Sequence, residues 1–288
     1  MPFPPVYAIV AKLMTNLLLA AIRYPEFDPV IFRLGPLTVR WYGLAYFMAF
    51  ILCYFALETL SKRRQLRLTR EQISDLVIYL AAGVVVGGRA GWWLIYHRAP
   101  VEPEPWYEPV AIWSGGMSFH GGLIGVVLVV WFWSWRNLTS LLNIADNLAL
   151  VTPIGLVLGR LANFINAELV GRPTDLPWGV MFPGEEFARH PSQLYEALLE
   201  GPLLLVLLWG TRRFTKAYDG RTAGLFVMLY SVFRFTVEFT REPDAQLGFI
   251  AMGWLTMGQL LSFILMLGGA AVWMLAHRRP AQQDILQQ

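Results

Sequence analysis

Long apolar runs alternate with short polar or proline-rich segments along most of the chain. Most of these runs have the roughly 17 to 25 residues with which an α-helix crosses the hydrocarbon core of a bilayer. The pattern predicts an all-α, polytopic membrane protein with seven transmembrane helices. The predicted helices are Trp41 to Leu60, Ile73 to Tyr96, Met117 to Trp135, Leu142 to Phe164, Leu194 to Gly210, Thr222 to Phe239 and Trp254 to Ala276.

The predicted helices divide the chain into three parts. Residues 1–40 form an N-terminal extension with an interfacial segment, residues 41–276 form the transmembrane domain, and residues 277–288 form a cytoplasmic tail. Within the transmembrane domain, residues 165–191 are expected to form an extracytoplasmic, periplasmic loop.

The stretch Val6 to Ile22 is apolar but short, and Lys12 interrupts it. It is therefore an ambiguous pattern, and if it crossed the membrane it would add an eighth helix without changing the orientation set by the basic loops. We assign it to the membrane interface, or to an extension upstream of a native start at Met14.

Basic residues cluster at the ends of predicted helices, in alternate loops. The clusters lie between Lys62 and Arg70, between Arg212 and Arg221, and at Arg278 and Arg279. Because cytoplasmic loops carry an excess of Lys and Arg, we expect the N-terminus outside and the C-terminus in the cytoplasm. This topology explains the basic clusters, so no nucleic-acid partner is expected.

The composition supports a membrane protein and excludes several other classes. Hydrophobic residues make up 56% of the chain and charged residues only 15%, which is wrong for a soluble domain. The single cysteine, Cys53, excludes an intrachain disulfide. The histidines are too scattered for a metal-ligand cluster, and we expect neither a metal nor a cofactor. They are His97, His120, His190 and His277.

Three arginines lie inside predicted transmembrane helices: Arg89, Arg160 and Arg234. An arginine at bilayer depth costs at least a few kcal/mol, and such residues usually serve a ligand or an ion. From the rise of 1.5 Å per residue, Arg160 lies roughly 27 Å and Arg89 roughly 24 Å from the cytoplasmic starts of their helices. These depths predict an outward-facing polar cavity with cationic walls.

Arg160 belongs to a dense polar segment, from Gly159 to Gly171, that also contains Asn163 and Glu168. Asp146 precedes Arg160 by about 21 Å of helix, so it cannot neutralise this arginine and is expected to be a structural carboxylate or a cap at the cytoplasmic end. Glu168, just beyond the predicted helix, is the expected counter-ion of Arg160.

On the sixth predicted helix, Tyr230, Arg234 and Glu238 follow one another at intervals of four residues, and Arg241 follows three residues later. This spacing places their side chains on one stripe. For Glu238 and Arg241, an intrahelical ladder of ion pairs and a role in a ligand site are both open. For Arg234 an anionic ligand is the better explanation, because burying an arginine for one ion pair is a poor source of stability.

His120 lies in a glycine-rich segment, residues 115–125. The glycines allow close approach of another chain or of a ligand. Since histidine titrates near neutral pH, His120 is the natural general acid or base, and a purely structural role remains the alternative. The glycines from Gly83 to Gly91 indicate helix packing rather than a nucleotide-binding loop.

Several of these segments together resemble the bacterial phosphatidylglycerol:prolipoprotein diacylglyceryl transferase family. The segment Gly159 to Glu168, followed by Gly171 and Arg172, looks like the signature of that family. Further similar blocks are residues 25–29 with 40–43, residues 116–122, residues 190–196 and residues 230–244. The resemblance extends from Tyr24 to Ala276, whereas the residues before Met14 look additional.

The resemblance implies a reaction and its substrates. The diacylglyceryl group of phosphatidylglycerol would be transferred to the lipobox cysteine thiol of a preprolipoprotein in the bacterial inner membrane. A thioether would form, and sn-glycerol 1-phosphate would leave.

The resemblance also implies roles for residues of this chain. Arg160 and Arg234 would bind the phosphate, and His120 would accept the thiol proton. Tyr42, Asn163 and Tyr230 would orient the headgroup or the peptide, Glu168 and Glu238 would hold the arginines, and Gly171 would permit a tight turn. Arg89 would line the cavity or pack between helices.

Two other functions fit an outward-facing cationic cavity. One is a transporter of organic anions. Two observations argue against a transporter: the polar residues gather at one depth rather than along a path, and no inverted repeat is visible. The other is a different phospholipid headgroup transferase. A mass gain of one diacylglycerol on a cysteine peptide is expected only for the diacylglyceryl transferase.

Overall fold

The fold is known from a computed structural model that describes residues 22–35, 37–95, 97, 105–112, 115–212, 220–243 and 248–278. Most of the N-terminal extension and of the predicted cytoplasmic tail lies outside these residues. The helices in the described part of the chain are α1 (Trp41–Lys62), α2 (Arg70–Ile95), α3 (Phe119–Arg136), α4 (Leu141–Ile165), α5 (Ser192–Thr211), α6 (Arg221–Val237) and α7 (Met257–Arg278).

The prediction of a helical, polytopic membrane protein is confirmed. Six helices of the described chain are long and apolar enough to cross a membrane: α1 to α5 and α7. The remaining helix, α6, has 17 residues and falls at the lower limit of spanning length, about 17 residues. Its passage through the membrane therefore stays a prediction.

Capping residues set the helix starts where the apolar pattern alone placed them wrongly. Helix α2 begins at Arg70, before the predicted Ile73, because Thr69 and Gln72 form a reciprocal capping box: Gln72 N donates to Thr69 Oγ1 at 3.3 Å, and Thr69 N donates to Gln72 Oε1 at 2.9 Å. Helix α7 begins at Met257 rather than Trp254 because the preceding residues form a hairpin.

Helix α5 is interrupted by a π-helical turn at Leu199–Leu203. Within this turn, Gly201 has non-helical angles (φ −101°, ψ −107°) and Pro202 follows it. Proline lacks a backbone N–H and disrupts the regular bonding of an α-helix. The chain therefore continues as one apolar segment, but with a wider turn beside Glu200.

The described residues group into two compact units. Counting only the described residues, the first lies within residues 22–49, 153–207 and 226–270, and the second within residues 50–152, 208–225 and 271–278. The first unit contains the polar loop that follows α4 and the ends of α4, α5, α6 and α7. The second contains the packed pair α2 and α3.

Short strands in the first unit depart from the all-α prediction. They are β1 (Ile22–Arg23), β2 (Val30–Leu34), β3 (Leu37–Arg40), β4 (Val180–Met181), β5 (Phe249–Ala251) and β6 (Leu255–Thr256). They form the pairs β1–β4, β2–β3 and β5–β6. The segments between helices need partners for their backbone N–H and C=O groups, and these short ladders supply them.

Tyr24 connects the polar loop of the first unit to the end of α4. Its side chain packs with Val180 and Phe182 in a small buried core, and burial raises the pKa of its hydroxyl. The single proton of the hydroxyl is shared between the carbonyl oxygens of Phe164 at 3.0 Å and Ile165 at 2.7 Å. Tyr24 thus satisfies carbonyls that the last turn of α4 leaves unpaired.

In the second unit, Asp146 is fully buried and accepts hydrogen bonds from the backbone nitrogens of Gly220 at 3.2 Å and Ala223 at 2.8 Å. A carboxylate at the start of α6 is favourable because the first N–H groups of a helix have no partners within it. The predicted role of Asp146 as a structural cap is confirmed.

Glycines let α2 and α3 approach closely, as the glycine pattern predicted. A Cβ atom on Gly91 would lie 2.7 Å from the Cα of Gly121, and one on Gly87 would lie 2.4 Å from the carbonyl oxygen of Gly121. Both distances are too short for non-bonded atoms, so this packing requires glycine.

We expect Gly91→Ala to destabilise the protein by about 1–3 kcal/mol, the usual cost of overpacking, since the new methyl group would meet the backbone of α3. Thermal unfolding in detergent measures the effect. The matched control is Gly268→Ala in α7, where a Cβ would have no neighbouring atom within 4 Å. Equal midpoints for the two variants would contradict the packing argument.

Candidate functional site

Arg160 lies in the last turns of α4 and pairs with two carboxylates of α5. Its Nε is 2.8 Å from Glu196 Oε2 and 3.4 Å from Glu200 Oε2. Residues four apart on a helix share one face, so α5 presents both carboxylates to the same guanidinium. The side chain of Arg160 is 16% exposed, which leaves part of the guanidinium accessible.

Glu196 also connects Arg160 to two other arginines. Its Oε1 lies 3.1 Å from Arg241 Nη1 and 3.7 Å from Arg234 Nη1, and its side chain is only 1% exposed. An isolated carboxylate in such a place would be very costly. The three arginines compensate its charge and bring the ends of α4, α5 and α6 together.

Arg234 also pairs with a second carboxylate. Its Nη1 donates to Glu238 Oε2, and the four-residue spacing had placed these two residues on one stripe of the helix. The other oxygen of this carboxylate, Oε1, accepts a hydrogen bond of 2.8 Å from Thr256 Oγ1. Glu238 is thus held from two directions, by α6 and by the residue that precedes α7.

These contacts define an arginine–carboxylate cluster, whose members are Arg160, Arg234, Arg241, Glu196, Glu200 and Glu238. The arginine side chains are 11% to 16% exposed, whereas the carboxylates are 0% to 7% exposed. The carboxylate side chains are therefore more deeply buried than the arginine side chains. The accessible face of the cluster is cationic and suits an anion such as a phosphate.

Tyrosines lie beside the cluster. Tyr230 lies near Glu200, Arg160 and Arg234. Tyr46 lies near Arg160, and the ring centroid of Tyr42 is 5.2 Å from that of Tyr46. The structure thus brings Tyr42 and Tyr230 to the region of the two arginines. Tyr46 had no signal in the sequence beyond its place one turn after Tyr42.

The expectation that Glu168 neutralises Arg160 is wrong. Glu168 accepts hydrogen bonds from Asn166 Nδ2 at 2.9 Å and from Asn163 Nδ2 at 3.4 Å, and Arg160 pairs with Glu196 and Glu200 instead. The chain turns at Ala167, which has a φ of 52°, so Glu168 folds back on Asn163 rather than continuing along α4.

Gly171 fits between two backbone segments. Its N–H donates to His190 O at 3.0 Å, and the next residue, Arg172, donates from its N–H to Thr240 O at 2.8 Å. A Cβ on Gly171 would lie 2.5 Å from each of these two carbonyl oxygens. Gly171 therefore allows the polar loop to bind the segment that carries Arg241.

His190 belongs to a hydrogen-bonded group that the sequence reasoning did not identify. Its Nδ1 is 3.2 Å from the Tyr195 hydroxyl, which also accepts a hydrogen bond of 2.8 Å from Trp178 Nε1. Burial and, to a smaller extent, the charge of Arg172 lower the pKa of His190. The lowered pKa favours the neutral ring, and in the tautomer with its proton on Nε2 the Nδ1 atom can accept a hydrogen bond from the Tyr195 hydroxyl.

In the second unit, His120 is the second residue of α3 and is exposed. Ser118 caps this helix, since its Oγ accepts a hydrogen bond of 3.2 Å from Gly121 N. Ser118 N in turn donates to Gly88 O at 2.8 Å. The start of α3 is therefore fixed to α2, and His120 projects from an anchored first turn.

Arg89 differs from the other intramembrane arginines because backbone carbonyls take its donors. Its guanidinium donates to Pro109 O at 3.1 Å, Gly115 O at 2.5 Å and Gly116 O at 3.3 Å, and also to Glu108. Its side chain is only 4% exposed. Arg89 therefore anchors the segment before α3 and is not placed to bind a ligand.

Within the described residues, no group of three or more His, Cys, Asp or Glu side chains is arranged to hold a metal ion. The chemistry offered by the described side chains comes from guanidinium, carboxylate, phenol and imidazole groups. These groups suit binding of an anion and transfer of a proton.

We expect Gly171→Ala to lower strongly the rate of diacylglyceryl transfer, the reaction that the family resemblance implies. The reason is that the methyl group would separate the polar loop from the segment that carries Arg241. The matched control is Gly159→Ala, which lies next to Arg160 but where a Cβ would have no neighbouring atom within 4 Å. Initial rates of the purified variants in detergent measure the effect. Equal rates of the two variants would contradict the argument that position 171 must lack a side chain.

Comparison with known proteins identifies similar chains. Residues 29–275 match the family model described as prolipoprotein diacylglyceryl transferase. Proteins named phosphatidylglycerol--prolipoprotein diacylglyceryl transferase are 47% identical in Solidesulfovibrio magneticus (90% of this chain, 97% of the relative) and 48% identical in Nitratidesulfovibrio vulgaris (88% and 95%). The protein of that name from Pseudomonas paraeruginosa is 45% identical (91% and 98%).

Proposed function

The chain belongs to the prolipoprotein diacylglyceryl transferase family, and we infer that it transfers the diacylglyceryl group of phosphatidylglycerol to a cysteine thiol of a prolipoprotein. It is a bacterial membrane enzyme whose substrates are a phospholipid and a protein. The observation that carries this function is the cationic face of the arginine–carboxylate cluster, since the reaction releases a phosphate monoester.

Arg160 and Arg234 bind the phosphodiester of the lipid in this proposal. The sulfur of the acceptor attacks the glyceryl carbon that carries the phosphate, a carbon–sulfur bond forms, and the carbon–oxygen bond breaks with its electron pair on the phosphate oxygen. The leaving sn-glycerol 1-phosphate therefore gains one negative charge. Guanidinium groups held in advance stabilise such a developing charge more than they stabilise the substrate.

His120 accepts the thiol proton in this proposal. A thiol has a pKa of about 8.5 and attacks only as a thiolate, so a base is needed at neutral pH. The imidazole is exposed on an anchored helix start, and histidine is the residue most often used for this purpose.

The other proposed site residues orient the substrates. Tyr42 and Tyr230 offer hydroxyl groups beside the cluster, and Asn163 offers an amide held by Glu168. Glu238 holds Arg234. These residues contribute by fixing the headgroup or the lipobox peptide in a reactive geometry.

We further propose seven transmembrane helices, with α6 as the short seventh span, and a polar cavity that opens to the outside. The basic clusters at Lys62 to Arg70 and Arg212 to Arg221 support a cytoplasmic C-terminus and an outer N-terminus in the inner membrane. The acceptor is then the lipobox cysteine of a preprolipoprotein after its segment has reached the outer face.

We expect Arg160→Lys to lower kcat about 100-fold or more, the usual effect of removing one group that stabilises a developing charge, because lysine cannot reproduce the planar fork. The assay follows the mass gain of one diacylglycerol on a lipobox peptide with phosphatidylglycerol vesicles. Arg136→Ala, at the exposed end of α3, is the matched control. Unchanged activity of Arg160→Lys would contradict the proposal that Arg160 binds the lipid phosphate.

We expect His120→Gln to abolish transfer to a cysteine peptide while its thermal midpoint stays near that of the wild type, since the side chain is exposed. A lipobox peptide with selenocysteine tests the role directly, because a selenol ionises at neutral pH without a base. Partial rescue by this peptide is the expected result. His277→Gln serves as the control, and equal loss with both peptides would contradict the role of a base.

A further inference from the structure

The start of α7 contacts the carboxylate of Glu238 inside the first unit. Thr256, which precedes α7, donates from Oγ1 to Glu238 Oε1 at 2.8 Å, and Thr256 is only 2% exposed. The predicted helix Trp254 to Ala276 contained this residue without giving it a role, and the motif carrying Arg234 did not include it. The contact joins α7 to the arginine–carboxylate cluster.

The hydroxyl of Thr256 has a fixed direction. Thr256 and Gln259 form a reciprocal capping box, in which Gln259 N donates to Thr256 Oγ1 at 3.2 Å and Thr256 N donates to Gln259 Oε1 at 3.0 Å. A hydroxyl has one proton to donate. Because Oγ1 accepts a hydrogen bond from Gln259 N, the hydroxyl proton is left to be donated to Glu238.

Gly258 lies directly against the same carboxylate. A Cβ on Gly258 would be 2.5 Å from Glu238 Oε1, 2.8 Å from Cδ and 3.0 Å from Oε2. A side chain here would move the carboxylate or the helix. The position also lies in the first turn of α7, where a negative charge is favourable.

The two oxygens of Glu238 have different partners. Oε1 accepts from Thr256, whereas Oε2 accepts from Arg234 Nη1. Rotation of the carboxylate would break at least one of these hydrogen bonds. The start of α7 therefore sets the plane of the carboxylate, and the carboxylate sets the position of the Arg234 guanidinium.

We propose that Thr256 and Gly258 are positioning residues, which act through Glu238 to hold Arg234 in the orientation that binds the lipid phosphate. This proposal rests on the function proposed above for Arg234. A guanidinium on a long side chain stabilises developing charge well only if it is held before the reaction starts. Thr256 and Gly258 hold the Arg234 guanidinium in place through Glu238, without touching the substrate.

A purely structural role for Thr256 as a helix cap is the competing explanation, and the chain offers a matched control for it. Thr69 forms the same capping box with Gln72 at the start of α2, in the second unit. Thr69→Val and Thr256→Val each remove a capping box. Only the second also removes a hydrogen bond to Glu238.

The experiment compares purified Thr256→Val, Thr256→Ser and Thr69→Val in detergent, with phosphatidylglycerol and a lipobox peptide. We expect Thr256→Val to lower kcat about tenfold, as for loss of one hydrogen bond to a charged group, with a thermal midpoint similar to that of Thr69→Val. Thr256→Ser, which keeps the hydroxyl, is expected to retain most of the activity. Thr69→Val is expected to keep the wild-type kcat.

A double-variant comparison tests whether Thr256 acts through Glu238. In a Glu238→Gln background, the effect of Thr256→Val on kcat should largely disappear, because contacting residues give non-additive effects. Additive effects would overturn the proposal. So would equal kcat values for Thr256→Val and Thr69→Val, or a Thr256→Ser variant as impaired as Thr256→Val.

Gly258→Ala gives a second test if Thr256→Val does not fold. It should lower kcat while Gly268→Ala, on the same helix with free space around it, does not. Equal kcat for the two glycine variants would overturn the role of Gly258. A wild-type protein without any transfer to the peptide would instead contradict the proposed function, so the two failures are distinguishable.

Discussion

A buried carboxylate surrounded by arginines is the constraint on which the first unit depends. Glu196 is almost fully buried and lies within ion-pair distance of Arg160, Arg234 and Arg241. Burying a charge in a low-dielectric environment costs several kcal/mol unless partners compensate it. The ends of α4, α5 and α6 must therefore stay together, because separating them would leave several charges unpaired.

The order of burial within the cluster links this constraint to function. The carboxylate side chains are more buried than the arginine side chains, so the carboxylates hold the arginines while the remaining exposure of the cluster belongs mainly to the arginines. Charge compensation and anion binding are then achieved by the same contacts. Such an arrangement provides the charges before substrate binds and needs little reorganisation during the reaction.

Arg89 and Arg160 show that residue type and depth along a helix do not by themselves determine whether an arginine is structural or binds a ligand. Arg89 and Arg160 both lie in apolar helices and looked alike in the sequence. Arg89 donates to carbonyls of the segment before α3, whereas Arg160 pairs with carboxylates of another helix. A guanidinium whose donors are taken by backbone has little capacity left for a ligand. Only the tertiary partners separate the two cases.

The sequence by itself determined the features that depend on local spacing or on bilayer thickness. Apolar run length predicted the helices, and a four-residue interval placed Arg234 and Glu238, which pair in the structure, on one stripe. The tertiary structure decided the partners that are distant along the chain, such as Glu200 for Arg160 and Thr256 for Glu238. The sequence could not supply these, because a neighbour along the chain, such as Glu168, turns away at a backbone bend. Pairing of buried charges depends on which helix ends meet, and packing of the whole unit sets that.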